Sequence, residues 1–210
     1  LAKVSTKIYL LSLVGISFAI PSHSNTLLSN LIIVSSIFFI LYSLKDLIEY
    51  YRKNISFDIS RIISHLGFGL LVFFIGINHN FSIEKDFNLK EGEKKIFDNY
   101  IIEFKRLKLE ENKNYKAVIG EFDITDLKKS TKTILFPEIR IYSNPETLTY
   151  EASIKSNLRN DLYLTMSNIS RSDFYNIKFQ NKPFMIWIWF SAFMISMGGI
   201  VRLFKKWELK

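Results

Sequence analysis

The sequence predicts a polytopic α-helical membrane protein of four spans, with an extracytoplasmic all-β domain between the third and fourth spans. Of the 48 charged residues, 34 lie between residues 79 and 183, and four apolar runs outside that region carry few charges or none. The charged region instead alternates apolar and polar residues over short stretches, which is typical of β-strands. We therefore expect a membrane region at 1–78, a β-rich domain at 79–183, and a fourth span with a short cytoplasmic tail at 184–210.

The four apolar runs approach the length of about 20 residues that crosses a bilayer as a helix. They cover residues 4–20, 26–44, 62–78 and 184–201. The first run contains Lys7, and the first and third runs have only about 17 residues, which is the lower limit for a span. A buried or interfacial helix is the alternative for these two runs.

Basic residues in the short connecting segments predict the orientation, because Lys and Arg accumulate on the cytoplasmic side of a membrane. Ten of them lie at the chain start, in the 45–61 segment and after residue 201, whereas the 21–25 turn has none. Four spans place all ten on one side. Both termini are then cytoplasmic, and the 79–183 domain is periplasmic if the membrane is the inner membrane of a bacterium. In an organelle the membrane would be the mitochondrial inner membrane.

Short runs of alternating apolar and polar residues predict the strands of the outer domain. They are residues 100–105, 118–124, 139–142, 147–154, 161–166 and 174–179. Turn-like residues separate the runs, as in Ser143-Asn144-Pro145. Several short strands at this spacing predict a small β-sandwich or an open barrel.

The composition excludes several classes of function. The net charge is +8, but residues 79–183 hold 18 basic and 16 acidic residues, so the outer domain has no basic surplus for nucleic acid. The absence of cysteine excludes disulfides and cysteine-ligated metals. The outer domain also lacks an interior histidine that could pair with a serine, and it lacks a glycine-rich phosphate loop, so we expect no catalytic residues of a hydrolase.

His65 is the residue that points most directly to a function, because ionisable side chains inside a span are rare. On a helix, Gly69 lies about 40° and Gly76 about 20° from His65, which leaves the face beside the imidazole bare. A flat macrocycle could lie on that face with its iron bound by the imidazole. The alternative is that both glycines allow close helix packing. The residues alone favour neither interpretation.

Three further residues are candidates for lesser roles. Arg61 precedes His65 by one turn, where it could contact a haem propionate, although setting the topology is the simpler explanation. His23 lies in the predicted outer turn, and His79 lies just beyond the third predicted span. We interpret both mainly as interfacial loop residues rather than metal ligands.

Several sequence blocks, in order, resemble the C-terminal region of the CcmF family, the haem-lyase component of cytochrome c-type biogenesis. Ser64-His65-Leu66-Gly67 opens the series and continues through Ile77. The others are Phe81–Lys85, Pro137–Tyr142, Thr149–Ile154, Arg159–Tyr163 and Lys182–Trp189.

The resemblance implies that His65 is one axial ligand of a transmembrane b-type haem, which favours the haem interpretation of its helix face. It also implies electron relay from quinol to the haem carried by the chaperone CcmE, before that haem is attached to apocytochrome c. The family's tryptophan-rich WWD segment and the second ligand of the b haem are absent from the sequence. We therefore expect an N-terminal CcmF portion to share the haem, and we expect that this chain alone does not catalyse the full reaction.

Two other functions are compatible with the same hydropathy. A non-catalytic membrane assembly factor with an outer β domain is the main alternative. A membrane sensor is less well supported, because the tail after residue 201 has only nine residues for a signalling output. Co-purified haem would separate the CcmF interpretation from both.

Overall fold

The computed structural model describes residues 27–53, 59–168 and 173–208, which form three α-helices and ten β-strands. The chain divides into two compact units. The first contains the helices α1 (Leu27–Lys53), α2 (Ile59–Phe81) and α3 (Met185–Glu208), and the second is the strand-rich segment Ile83–Lys182. The predicted first span at 4–20 and His23 lie outside the described residues.

All three described helices are long and apolar enough to cross a membrane, over Leu28–Arg52, Ile59–Phe81 and Met185–Phe204. They correspond to the predicted second, third and fourth spans, and each helix is longer than its apolar run. The prediction of a connecting loop at 45–61 is therefore wrong for most of that segment. The helix continues through Lys45, Glu49 and Arg52 because these residues favour helix and are spaced three or four apart, where opposite charges support the next turn.

The second unit has ten strands joined by short turns. They are β1 (Ile83–Leu89), β2 (Lys94–Phe97), β3 (Tyr100–Glu111), β4 (Tyr115–Asp126), β5 (Thr131–Leu135), β6 (Glu138–Ser143), β7 (Glu146–Glu151), β8 (Ser153–Ser156), β9 (Asn160–Asn168) and β10 (Tyr175–Pro183).

The strands form two sheets that enclose one core. One sheet has the order β1-β10-β9-β8, and the other has the order β2-β3-β4-β6-β7 with β5 also paired to β4. β5 and β6 pair with successive parts of β4, over Phe122–Asp126 and Tyr115–Ile119. The break between them falls at Pro137, whose missing N–H cannot join a ladder.

Each of the six predicted runs contains a strand, and the domain is a sandwich rather than an open barrel. The run 147–154 divides at Ala152 into β7 and β8, which belong to different sheets. The prediction missed β1, β2 and β5. β1 and β2 are rich in charged side chains, and β2 and β5 have only four and five residues, so neither gives a clear alternating signal.

Buried aromatic and aliphatic side chains from both sheets form the core. Phe104 on β3, Phe122 on β4 and Phe179 on β10 are fully buried. The rings of Phe104 and Phe122 stack with centroids 4.4 Å apart and planes 13° apart. Inward residues that alternate with polar ones along each strand bring these side chains together.

The outward face of the six-stranded sheet carries a network of ion pairs. Arg106 Nε and Lys108 Nζ lie 2.8 and 2.9 Å from the Glu121 carboxylate, and Lys132 Nζ lies 2.7 Å from the Asp123 carboxylate. Hydrogen bonds from Arg106 and then from Lys108 lower the pKa of Glu121 to about 2. Because basic and acidic groups balance one another, this face is suited to solvent.

We expect Glu121→Gln to lower the thermal midpoint of the β-sandwich slightly at neutral pH. The folded-state pKa of Glu121 lies below its ordinary value of 4.5, so its ionised form stabilises the fold above that value. The contribution is lost as the pH falls toward about 2. The midpoint difference between wild type and variant should therefore shrink in acid. Glu110→Gln, an exposed neighbour on β3, is the control, and a difference that grew in acid would contradict the prediction.

Candidate functional site

His65 lies on the central helix of the membrane unit, since α2 packs against both α1 and α3. It is the seventh residue of α2, about 9 Å along the axis from the first residue. Its side chain is exposed, and its ring centroid lies 5.7 Å from that of Phe39 on α1. The Phe39 and Phe68 rings in turn meet edge to face at 5.8 Å. The imidazole is thus part of an aromatic surface shared by α1 and α2.

Gly69 and Gly76 contact α1. A methyl group added to Gly69 would lie 2.9 Å from Ile40 Cγ1 and 3.0 Å from Phe39 Cδ1, and one added to Gly76 would lie 2.8 Å from Ile33 Cγ1. Side chains at these positions would push the two helices apart. Close packing is therefore one role of both glycines. Their role as a face for haem stays a prediction.

The contact between α2 and α3 was not predicted from the sequence. A methyl group added to Gly198 of α3 would lie 2.9 Å from the Ser60 carbonyl oxygen, and Ser60 Oγ donates a hydrogen bond of 2.6 Å to the Gly198 carbonyl oxygen. Small residues on facing helices allow this approach of the two backbones. The Gly198-Gly199 pair within an apolar run was the signal that could have indicated it.

The remaining candidates lie at different heights on α2. Arg61 is exposed one turn before His65. His79 belongs to the last turn of α2, and so the prediction that it lies beyond the span is wrong, because the helix continues to Phe81. His79 is also about 21 Å along the axis from His65, too far to bind the same metal ion. Within residues 27–53, 59–168 and 173–208, no group of three His, Cys, Asp or Glu side chains could hold a metal.

The chemistry of His65 fits an axial ligand of haem. A neutral imidazole offers one ring nitrogen to iron, and the neighbouring Phe39 and Phe68 rings offer an apolar aromatic surface. Among the described residues no second histidine lies at that depth, so a second strong ligand would come from elsewhere. The described part of the chain can supply one ligand and part of an apolar wall.

Three apolar helices of membrane-spanning length, with a ten-stranded β-sandwich in the connection between α2 and α3, define a class of membrane protein with an inserted β-sandwich domain. Residues 80–183 match the family described as CcmF C-terminal beta-sandwich. This match identifies that domain as a member of the family, and the resemblance observed in the sequence is confirmed.

Known proteins show the same similarity. The cytochrome c-type biogenesis protein CcmF of Escherichia coli (strain K12) is 27% identical over 143 residues, which cover 68% of this chain and 22% of the relative. An uncharacterised mitochondrial protein of Marchantia polymorpha is 38% identical over 73 residues, covering 34% of this chain and 23% of the relative. The chain thus spans about a fifth of the length of these relatives.

A solved structure shares the fold over nearly the whole chain. It is described as cytochrome c heme lyase CcmF, and it superposes with a TM-score of 0.65 at 14% identity. The match covers 96% of this chain and 34% of the solved chain. The helices and the sandwich therefore occur together, in the same order, in that protein.

Proposed function

We propose that this chain is a membrane component of cytochrome c biogenesis and forms part of a CcmF-type haem lyase. The family match of residues 80–183, the CcmF relatives and the shared fold support this role. Because the chain spans about a fifth of those relatives, the haem-lyase reaction belongs to a larger assembly. The N-terminal CcmF portion, with its WWD segment, supplies the rest of that assembly.

Within the assembly, His65 provides one axial ligand to a transmembrane b-type haem. The observation that carries this role is the exposed imidazole on a helix of membrane-spanning length. An imidazole that faced lipid alone would be costly, so its exposed position favours a further group or chain against it. The neighbouring aromatic rings of Phe39 and Phe68 fit that interpretation.

The residues of this chain would act by binding and shielding. His65 holds the iron through a ring nitrogen, Phe39 and Phe68 exclude water beside it, and Arg61 faces a propionate one turn away. Gly69 and Gly76 keep α1 close to this wall. A six-coordinate haem held in this way supplies one-electron transfer. Quinol is the proposed electron donor, the haem chaperone CcmE the source of the transferred haem, and apocytochrome c the acceptor of that haem.

The test is the absorbance spectrum of the assembly purified from membranes. We expect the wild-type assembly to show a low-spin b-haem spectrum, and we expect His65→Ala to abolish it while the chain still inserts. His65→Gly with added imidazole should restore part of the signal, because the vacated space matches that ring. His79→Ala is the matched control, since His79 lies about 21 Å away along the same helix. An unchanged spectrum in His65→Ala would refute the ligand role.

Topology follows from the same proposal. The chain crosses the membrane four times, with both termini in the cytoplasm and the β-sandwich in the periplasm, because ten basic residues flank the spans on one side. Reporter fusions after Lys53 and Lys210 should have cytoplasmic activity, and a fusion after Asn144 should have external activity. An external position for Lys53 would contradict the four-span arrangement.

A non-catalytic membrane assembly factor is the second candidate. The contacts of Gly69 and Gly76 with α1 favour it, because helix packing alone accounts for both glycines. This candidate requires no haem bound by His65. The same absorbance measurement therefore separates the two functions.

A further inference from the structure

The β-sandwich contains a small polar cavity near the contact between β5 and β8. Its volume is about 90 Å³, and both sheets contribute to its wall. Ile124 and Leu162 form the apolar part of that wall. The rest is polar, with side chains from β3, β4, β5, β8 and β9. The volume would hold on the order of three water molecules, or one small ion.

Asn160 on β9 has an unsatisfied acceptor in this wall. Its side chain is more than nine-tenths buried, and its Nδ2 donates a hydrogen bond of 2.8 Å to Asn181 Oδ1. Asn181 Nδ2 in turn donates to the Tyr100 hydroxyl at 3.0 Å. Asn160 Oδ1 has no hydrogen-bond partner in the structure. A buried acceptor without a donor is costly, so this oxygen favours a ligand that carries a hydrogen-bond donor.

The charges around the cavity favour an anion. Lys129 and Lys155 line it together with a single acid, Asp126. Asp126 already accepts hydrogen bonds from the backbone N–H groups of Lys128 and Lys129, and its carboxylate lies 3.6 Å from Lys129 Nζ. Among the described ion pairs none includes Lys155. The cavity wall therefore has one more positive than negative charge, which suits a singly charged anion.

Hydroxyl groups complete the wall. Thr131 and Thr133 on β5 line the same cavity, and they pair with Asp126 and Ile124 across the sheet. Each hydroxyl can donate to an oxygen of an anion. The cavity thus combines donors on one side with the acceptor Asn160 Oδ1 on the other.

We propose that this cavity binds inorganic phosphate in a protonated form. Lys155, Thr131 and Thr133 donate to its unprotonated oxygens, and its P–OH group donates to Asn160 Oδ1. Asp126 favours the protonated, singly charged ion over the dianion through its own negative charge. Sulfate has a similar size and shape but carries no proton at neutral pH, so it leaves Asn160 Oδ1 unsatisfied. This inference rests on the sandwich alone and is independent of the haem-related function.

The test is calorimetric titration of the full chain, purified in detergent, with phosphate and with sulfate. We expect phosphate to bind at one site and sulfate to bind at least about tenfold more weakly, the size of effect expected for a lost charge-assisted hydrogen bond. Lys155→Gln and Thr133→Val should each weaken phosphate binding. Lys128→Gln should bind phosphate as the wild type does, because Lys128 is exposed on the adjacent turn and does not line the cavity.

Asn160→Ala tests the acceptor directly, since it should abolish the preference for phosphate over sulfate. Its thermal midpoint shows whether it folds, and if it does not, the Lys155 and Thr133 variants decide the outcome. Equal binding of phosphate and sulfate would overturn the proposal. It would also be overturned if phosphate gave no binding heat, which would mean that water alone fills the cavity, or if Lys155→Gln bound phosphate like the wild type.

Discussion

Replacing Phe104 by alanine should lower the free energy of unfolding of the β-sandwich by about 3–5 kcal/mol, the usual cost of removing a fully buried aromatic ring. Phe104 is 0% exposed, and its ring stacks on Phe122 at 4.4 Å and meets Tyr175 edge to face at 5.8 Å. Truncation removes both contacts and leaves a cavity between the sheets. A close-packed core recovers only part of that loss by relaxation.

Hydrogen exchange in the full chain is the measurement for Phe104→Ala. The backbone amides of β3 and β4 lie in the middle of the six-stranded sheet, so their exchange reports opening of the sandwich. Leu109→Ala is the matched control, because Leu109 is on the same strand but 82% exposed. We expect that variant to change stability by less than about 0.5 kcal/mol. A loss below about 1 kcal/mol in Phe104→Ala would mean that the site collapses to fill the space.

Strands were predictable where burial alternates along the chain. On β9, Leu162, Leu164 and Met166 are buried while Tyr163 and Thr165 are partly exposed, and this pattern is visible as letters. β1 has three charged residues in seven, and a neighbouring strand, β10, fixes it as a strand instead. The sequence carries no local signal for such pairing, since the partners lie about ninety positions apart.

The ends of the helices were less predictable than their existence. Hydropathy marks only the part of a helix that is apolar, whereas α1 continues for two further turns through charged residues that favour helix. Packing between helices was visible only in part. Gly69 and Gly76 were recognised as a bare face, but Ser60 and Gly198 meet through a hydrogen bond between residues 138 positions apart.

The two candidate sites differ in how far sequence could lead to them. His65 stands alone as an ionisable group in an apolar run, so one residue and its position indicate a function. The phosphate cavity needs Tyr100, Asp126, Lys155 and Asn160, which come from four strands in two sheets. None of these residues is unusual for its place in the sequence. Only the pairing of the strands brings them together.

Replacing His65 by alanine should stop cytochrome c maturation in cells that depend on this chain. The alanine removes the imidazole nitrogen, and no other described histidine lies within reach at that depth, so neighbouring residues cannot compensate. The fold should survive, because His65 is exposed and only its ring contact with Phe39 is lost. A packing residue at an exposed position would give at most a small change in stability and no loss of maturation.

The measurement is the amount of covalently attached haem in a reporter cytochrome c, compared at equal levels of inserted chain. His79→Ala should mature the reporter normally, and Arg61→Gln should reduce the yield without abolishing it, because a propionate contact supports a ligand rather than replacing it. Imidazole added to cells with His65→Gly should restore part of the yield. If His65→Ala matured the reporter at the wild-type level, the imidazole would be a packing residue, and the assembly-factor function would explain the chain better than electron relay does.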